Sequence, residues 1–128
     1  MPTLYGLRNC DSCKTAMKLL SGNGVDFDFI DFKKSPPNQE TTMRWAEKLG
    51  PEKLVNRGST SWRKMDEGQQ ALASKAEGAA MLVLDNPSLA KRPVIEHDDG
   101  SVTVGFDMEV NTKMGLSDYS MGDSSMGD

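Results

Sequence analysis

The opening of the chain limits the fold more than any other segment. Thr3-Leu4-Tyr5-Gly6 is short, apolar and β-prone, and Leu7-Arg8-Asn9-Cys10 follows it. A helical pattern begins at Asp11, with Cys13, Ala16, Met17 and Leu20 three and four residues apart. Gly22 and Gly24, on either side of Asn23, stop it. Val25 to Phe32 then alternates apolar and polar residues, the pattern of a half-exposed strand. Strand, helix and strand in this order make a βαβ unit, whose parallel strands are joined by a right-handed crossover.

Further along, Pro36-Pro37 marks a boundary, and Asn38 is placed to cap a helix carrying Thr42, Trp45, Ala46 and Leu49. Gly50-Pro51 ends that helix, and a short helical turn with Leu54 and Val55 follows. The polar run Arg57-Gly58-Ser59-Thr60-Ser61-Trp62-Arg63-Lys64 reads as a loop. Two short helices are expected over 67–76 and 78–85, the second closed by Asn86-Pro87. Arg92-Pro93 leads into Val94-Ile95-Glu96, and His97-Asp98-Asp99-Gly100 signals a tight turn. Ser101 to Gly105 answers as the return strand, and a last helix is expected from near Asp107. The order is β-α-β, a helical block, β-β and α, which an α/β fold with a mixed sheet and packed helices satisfies.

Of 128 residues, 37% are hydrophobic and 27% charged, the make-up of one ordinary folded domain, placed at 1–115. Residues 116–128 repeat Ser-Met-Gly-Asp without an apolar face and read as a disordered acidic tail. Fifteen Lys and Arg against nineteen Asp and Glu give a net charge of −4, which argues against direct binding of nucleic acid through its phosphates. No apolar run approaches the roughly 20 residues that cross a bilayer. With no signal-peptide pattern at the start, the expectation is a cytoplasmic protein with no membrane partner.

Cys10 and Cys13 are the two cysteines, and they form a C-x-x-C. A disulfide closing so short a loop adds only about 2 kcal/mol and is a poor staple. On residues alone the pair has three readings. Half of a zinc site would need two further ligands, and neither a second cysteine pair nor a second histidine exists to supply them. Two incidental core thiols are the second reading. The third is redox chemistry, which the strand-to-helix placement favours. There, free backbone N–H groups and the positive end of the helix dipole stabilise a Cys10 thiolate. Arg8 and Lys14 add positive charge nearby, and Asp11 subtracts some. Cys13, one turn on, can close a disulfide once Cys10 is oxidised, so Cys10 attacks and Cys13 resolves. His97 is expected as an exposed turn residue, and Trp45 and Trp62 as packing residues. Trp62 is the better functional candidate of the two, because Arg57 and Arg63 share its segment.

The stretch Leu4 to Ala16 resembles the start of the arsenate reductase (ArsC) / Spx / YffB family. Arg57 to Lys64, Lys91 to Ile95 and Val104-Gly105-Phe106 agree in order and spacing, and the Arg57–Lys64 run is most similar to the YffB branch. The resemblance implies a thioredoxin-like βαβ…ββα fold with a four-stranded mixed sheet, a helical insertion at about 37–90 and a cis Pro93 beside the cysteine loop. It implies that Cys10 is the nucleophile and that Arg57 and Arg92 hold the anionic part of a substrate, as planar bidentate donors suited to that task. The third arginine of the family's arsenate reductases falls at Gly105 or Phe106, neither of which can hold an oxyanion. The expected activity is thiol–disulfide exchange, with glutathione as co-substrate, no tightly bound cofactor, and a glutaredoxin or thioredoxin as redox partner. The alternative is an Spx-like redox-sensing regulator that binds RNA polymerase.

Overall fold

The computed structural model describes residues 1–106 and 108–115. The tail expected at 116–128 lies outside the described residues, as does Asp107. In chain order the elements are β1 (Thr3–Gly6), α1 (Asp11–Gly22), β2 (Asp28–Asp31), α2 (Gln39–Leu49), α3 (Pro51–Leu54), α4 (Thr60–Arg63), α5 (Glu67–Ala71), α6 (Ala76–Asp85), β3 (Val94–Glu96), β4 (Val102–Val104) and α7 (Met108–Lys113). Single 3₁₀ turns occupy Leu72–Ser74 and Pro87–Leu89. They fall into two compact units: a sheet unit of Met1–Asp31 with the described residues from Arg92 on, and a helical unit of Phe32–Lys91.

In the sheet unit the strands run in the order β2-β1-β3-β4. β1 and β2 are parallel, with Leu4 opposite Phe29 and Gly6 opposite Asp31. β3 runs antiparallel to β1, with Leu4 opposite Ile95 and Tyr5 opposite Val94, and β4 antiparallel to β3. Leu4 and Gly6 alternate onto the buried face of β1, as the two-residue period requires. Cys13, Ala16, Leu19 and Leu20 form the buried stripe of α1. Leu4, Ala16, Leu20, Ile95, Phe106 and Val110 close into one core cluster. At the end of α1 the side-chain amide of Asn23 donates to the Leu19 carbonyl at 2.8 Å, and Gly24 takes a φ of +72°.

The second strand is shorter than the alternation from Val25 to Phe32 suggests. The Val25 N–H is tied back to the Leu20 carbonyl at 2.9 Å, and Val25 and Phe27 pack on the core cluster. Only the four residues opposite β1 enter the ladder. Phe32 belongs to the helical unit, where its ring lies 6.2 Å from that of the fully buried Trp45.

In the helical unit, Asn38 caps α2 by accepting the Thr41 N–H at 2.8 Å, and Gly50, at φ +90°, ends it before Pro51. The run Arg57–Lys64 is not wholly a loop. Ser59 Oγ accepts the Trp62 N–H at 3.1 Å and starts the short helix α4, while Asn56 Oδ1 accepts the Gly58 N–H at 3.0 Å and shapes the turn before it. The helix expected over 67–76 divides into α5 and a 3₁₀ turn, because Lys75 is extended (φ −125°, ψ 150°) and the chain starts α6 afresh. Gly78 permits that restart. A Cβ on it would sit 1.9 Å from the Leu72 carbonyl oxygen, so only glycine lets α6 lie this close to the preceding turn.

Gly78→Ala should therefore destabilise the protein by about 3 kcal/mol, the upper end for overpacking, since backbone would have to move. Gly22→Ala, at a helical position with no neighbour within 4 Å, should instead gain about 0.5 kcal/mol. Urea unfolding midpoints of the two variants should move in opposite directions.

Candidate active site

β1 ends at Gly6, and a tight turn brings the chain round to the helix: the Cys10 N–H bonds to the Leu7 carbonyl at 3.2 Å. Cys10 is the residue before the first turn of α1, extended at φ −91° and ψ 126°, and its carbonyl accepts the Lys14 N–H at 2.9 Å. The thiol is half-buried, whereas Cys13, one turn later on the buried stripe, is fully enclosed. Both cysteines are free thiols in this structure.

The sheet brings in the third member. Tyr5 pairs with Val94 in antiparallel register, so the residues just before β3 run past the end of β1 and alongside the cysteine loop. These residues are Arg92 and Pro93, joined by a cis peptide bond, as the family resemblance implied. Pro93 is buried, and its carbonyl accepts the Gly105 N–H at 2.9 Å. The Arg92 guanidinium lies close enough to Cys10 to favour its thiolate by charge and hydrogen bonding.

The two thiols are driven apart in acidity. Burial opposes charge on Cys10. The Cys13 backbone N–H and thiol outweigh it, together with the hydrogen bond and positive charge of Arg92, and the Cys10 pKa falls below its ordinary value. Burial dominates at Cys13 and pushes it up to about 12; the neighbouring Cys10 adds to the rise, and the Leu7 N–H and Arg92 only partly offset it. The two neighbouring thiols are thus shifted in opposite directions, Cys10 toward the thiolate and Cys13 toward the neutral thiol.

The other expected site residues are placed as follows. Arg8 is exposed, with its guanidinium 5.5 Å above the Phe29 ring and its Nε 3.8 Å from the Asp31 carboxylate. Lys14 is exposed on α1. Arg57 belongs to the helical unit, where it lies 5.2 Å above the Trp62 ring. Phe106 is part of the sheet unit's core and Gly105 is a turn glycine at φ +74°, so neither offers a cation. His97 is not the exposed turn residue expected. It is half-buried, with Nε2 2.8 Å from Thr103 Oγ1, and its pKa is lowered by burial and by Lys113, against Asp99 and Asp98. A cavity of about 260 Å³ between His97, Asp99, Lys113, Pro2 and Met114 lies where β1 begins and β3 ends, whereas Cys10 follows the other end of β1. Among the described residues, no group of His, Cys, Asp or Glu is arranged to hold a metal ion, and no helix is long and apolar enough to cross a membrane.

One residue of the site escaped the sequence reading: Gly6, whose position lies against the Cys13 sulfur. An isolated glycine in a strand pattern was the available signal, since it often marks a close approach.

A four-stranded mixed sheet, a cysteine at the start of a helix and a cis proline beside it define a thioredoxin-like α/β protein. The chain belongs to the ArsC family, whose model matches residues 5–114. It is 33% identical over 106 residues to an uncharacterized protein of Haemophilus influenzae, covering 83% of this chain and 91% of that one. The solved structure of a YffB protein matches with a TM-score of 0.82 at 35% identity, over 91% of this chain and 100% of that one. An arsenate reductase (ArsC) related protein from Brucella melitensis matches with a TM-score of 0.69 at 37% identity, over 90% and 95% of the two chains. An arsenate reductase from Vibrio cholerae shares the fold at 15% identity, with a TM-score of 0.72 over 91% and 97% of the two chains.

Two outcomes follow from the acidities. Iodoacetamide at pH 7 should modify Cys10 within minutes and leave Cys13 unmodified, as read by peptide mass spectrometry. Arg92→Ala should slow that labelling at least several-fold by returning Cys10 toward its ordinary pKa. The sign of the stability effect at Cys13 is also determined. Its folded pKa, about 12, exceeds the ordinary 9.0, so the unfolded chain loses the proton first as pH rises, and stability is lost between about pH 9 and 12. In reducing buffer, the wild-type advantage over Cys13→Ala in urea midpoint should shrink from pH 8 to pH 10.

Proposed function

We propose that the protein is a thiol–disulfide oxidoreductase that reduces small disulfides, with glutathione as co-substrate and Cys10 as nucleophile. The observation that carries this reading is Cys10 at the start of α1 with its pKa lowered, Arg92 among the causes, beside a fully buried Cys13 whose pKa is raised. Cys10 S⁻ attacks one sulfur of a glutathione mixed disulfide, R–S–S–G, and R–S⁻ leaves and takes a proton. Cys13 then gives up its proton and attacks the Cys10 sulfur, expelling the glutathione thiolate and closing a Cys10–Cys13 disulfide. Two further glutathione molecules, or a glutaredoxin or thioredoxin, return two electrons and two protons to the pair. Arg92 also suits a substrate carboxylate. A cytoplasmic setting, where free glutathione keeps thiols reduced, fits a pair that rests as thiols.

Arsenate is the weaker substrate reading, because the third cation of the family's arsenate reductases has no counterpart at Gly105 or Phe106. A second reading, a redox-sensing regulator acting on RNA polymerase, draws on the same adjacent thiols. It predicts a partner that is exchanged when the pair oxidises, which pull-down in reduced and oxidised states would reveal.

The deciding assay is glutathione-dependent reduction of a mixed disulfide. Cys10→Ser should abolish turnover, at least 10³-fold in kcat, since no other thiol is activated. Cys13→Ser should accumulate a Cys10–glutathione adduct visible by mass spectrometry. Arg57→Ala decides the expectation that Arg57 binds the substrate's anionic part: a raised KM with little change in kcat assigns it there. Full activity in Cys10→Ser would sink the proposal.

A further inference from the structure

The close approach at Gly6 has a chemical consequence. On β1 the buried face carries Leu4 and then Gly6. Leu4 packs in the cluster that includes Ala16 and Leu20 of α1. One step along the strand, Gly6 faces Cys13, and a Cβ on Gly6 would lie 2.4 Å from the Cys13 sulfur. That is far inside the roughly 3.5–4 Å at which such atoms rest in contact. Gly6 lies within the regular β1 ladder and does not need a positive φ, so the sulfur, not the backbone, is what excludes a side chain. Cys13 is fully buried on a helix, where only two χ1 wells are open to a side chain. A methyl group at position 6 closes the well its sulfur occupies.

We propose that Gly6 is a positioning residue for the Cys10–Cys13 pair: it leaves the gap on β1 in which the Cys13 thiol rests while the pair is reduced, and so biases the pair toward the dithiol form. Both cysteines are free thiols here, whereas a disulfide holds its sulfurs at about 2.05 Å. On this proposal the Cys13 sulfur leaves the gap toward Cys10 as the bond forms. Filling the gap penalises the reduced seat and not the oxidised one. This inference rests on the redox reading of the pair, but none of its readouts needs substrate turnover.

The test is Gly6→Ala in the full chain, equilibrated in reduced and oxidised glutathione buffers, quenched with acid, alkylated and weighed by mass spectrometry. The dithiol–disulfide constant should move at least tenfold toward disulfide, about 30 mV for this two-electron couple. The Cys10 pKa, from pH-dependent alkylation, should rise as the Cys13 thiol is displaced. In a Cys13→Ala background the same substitution should leave Cys10 where Cys13→Ala alone puts it. An unchanged constant with an unchanged Cys10 pKa, or a shift toward dithiol, overturns the proposal. Should Gly6→Ala fail to fold by circular dichroism, the double variant with Cys13→Ala should fold, because the clash is with that sulfur; failure of both overturns it. A wild-type pair that never oxidises would instead sink the redox reading, and the Cys10 shift would then decide the role of Gly6 by itself.

Discussion

How closely α1 lies against β1 governs the cysteine end of the sheet unit. A helix packed on a strand through ordinary side chains stands off by their length, yet here the Cys13 sulfur rests where Gly6 has no side chain. The approach has two effects at once. It sinks Cys13 into a place without water, and it leaves Cys10, at the very start of the helix, on the rim. The same core cluster, with Leu4 and Ile95 on the strands and Ala16 and Leu20 on the helix, fixes both depths.

Depth then becomes chemistry. The two thiols begin with the same intrinsic acidity and are one helical turn apart, so what separates them is surroundings alone. At Cys13 desolvation dominates, and a thiolate would have to be carried in an apolar enclosure. At Cys10 desolvation is also the largest single effect, but an N–H, a thiol and a guanidinium together overcome it. The guanidinium comes from a residue remote in sequence, and it arrives because β3 is antiparallel to β1 and starts where β1 ends. A parallel neighbour in that place would have entered at the other end of β1, beside Thr3. Sheet direction is therefore as much a part of the site as the cysteines are.

Much of this was legible in the sequence, and the parts that were not have identifiable causes. The spacing of Cys13, Ala16, Met17 and Leu20 and the glycines after it placed the start of α1 at Asp11 and its end among those glycines, because capping and periodicity are local effects. The hairpin at Val94–Val104 and the Asn38 cap were local as well. Val25–Phe32 misled because alternation records burial and not pairing: Val25 and Phe27 are partly buried without joining the ladder. The helix at Thr60–Arg63 was hidden by its polar composition, although Ser59 stood ready as its cap. His97 lost its exposure to a partner on the opposite strand, Thr103, which the turn residues around it do not announce. The link from Arg92 to Cys10 came from family resemblance, since no local pattern encodes a register.

The core also bears on what the site can hold. A tetrahedral dianion needs several fixed cations around it, and the family resemblance would put the third of them at Gly105 or Phe106. Phe106 is only 8% exposed and packs in the cluster with Leu4, Leu20 and Ile95. Placing a guanidinium there would bury a charge at a cost of several kcal/mol unless the surroundings paired it. Gly105 is equally committed, at φ +74° with its N–H on the Pro93 carbonyl, where a long side chain would be strained. Neither residue is free to become a cation without rebuilding the contact between β4 and the residues before β3. A thiol substrate with a carboxylate asks for less: a thiolate at Cys10, a planar donor at Arg92, and a leaving sulfur that carries one charge. On the proposed function, the packing that builds this sheet unit is the same packing that suits its cysteine site to disulfide exchange better than to oxyanion reduction.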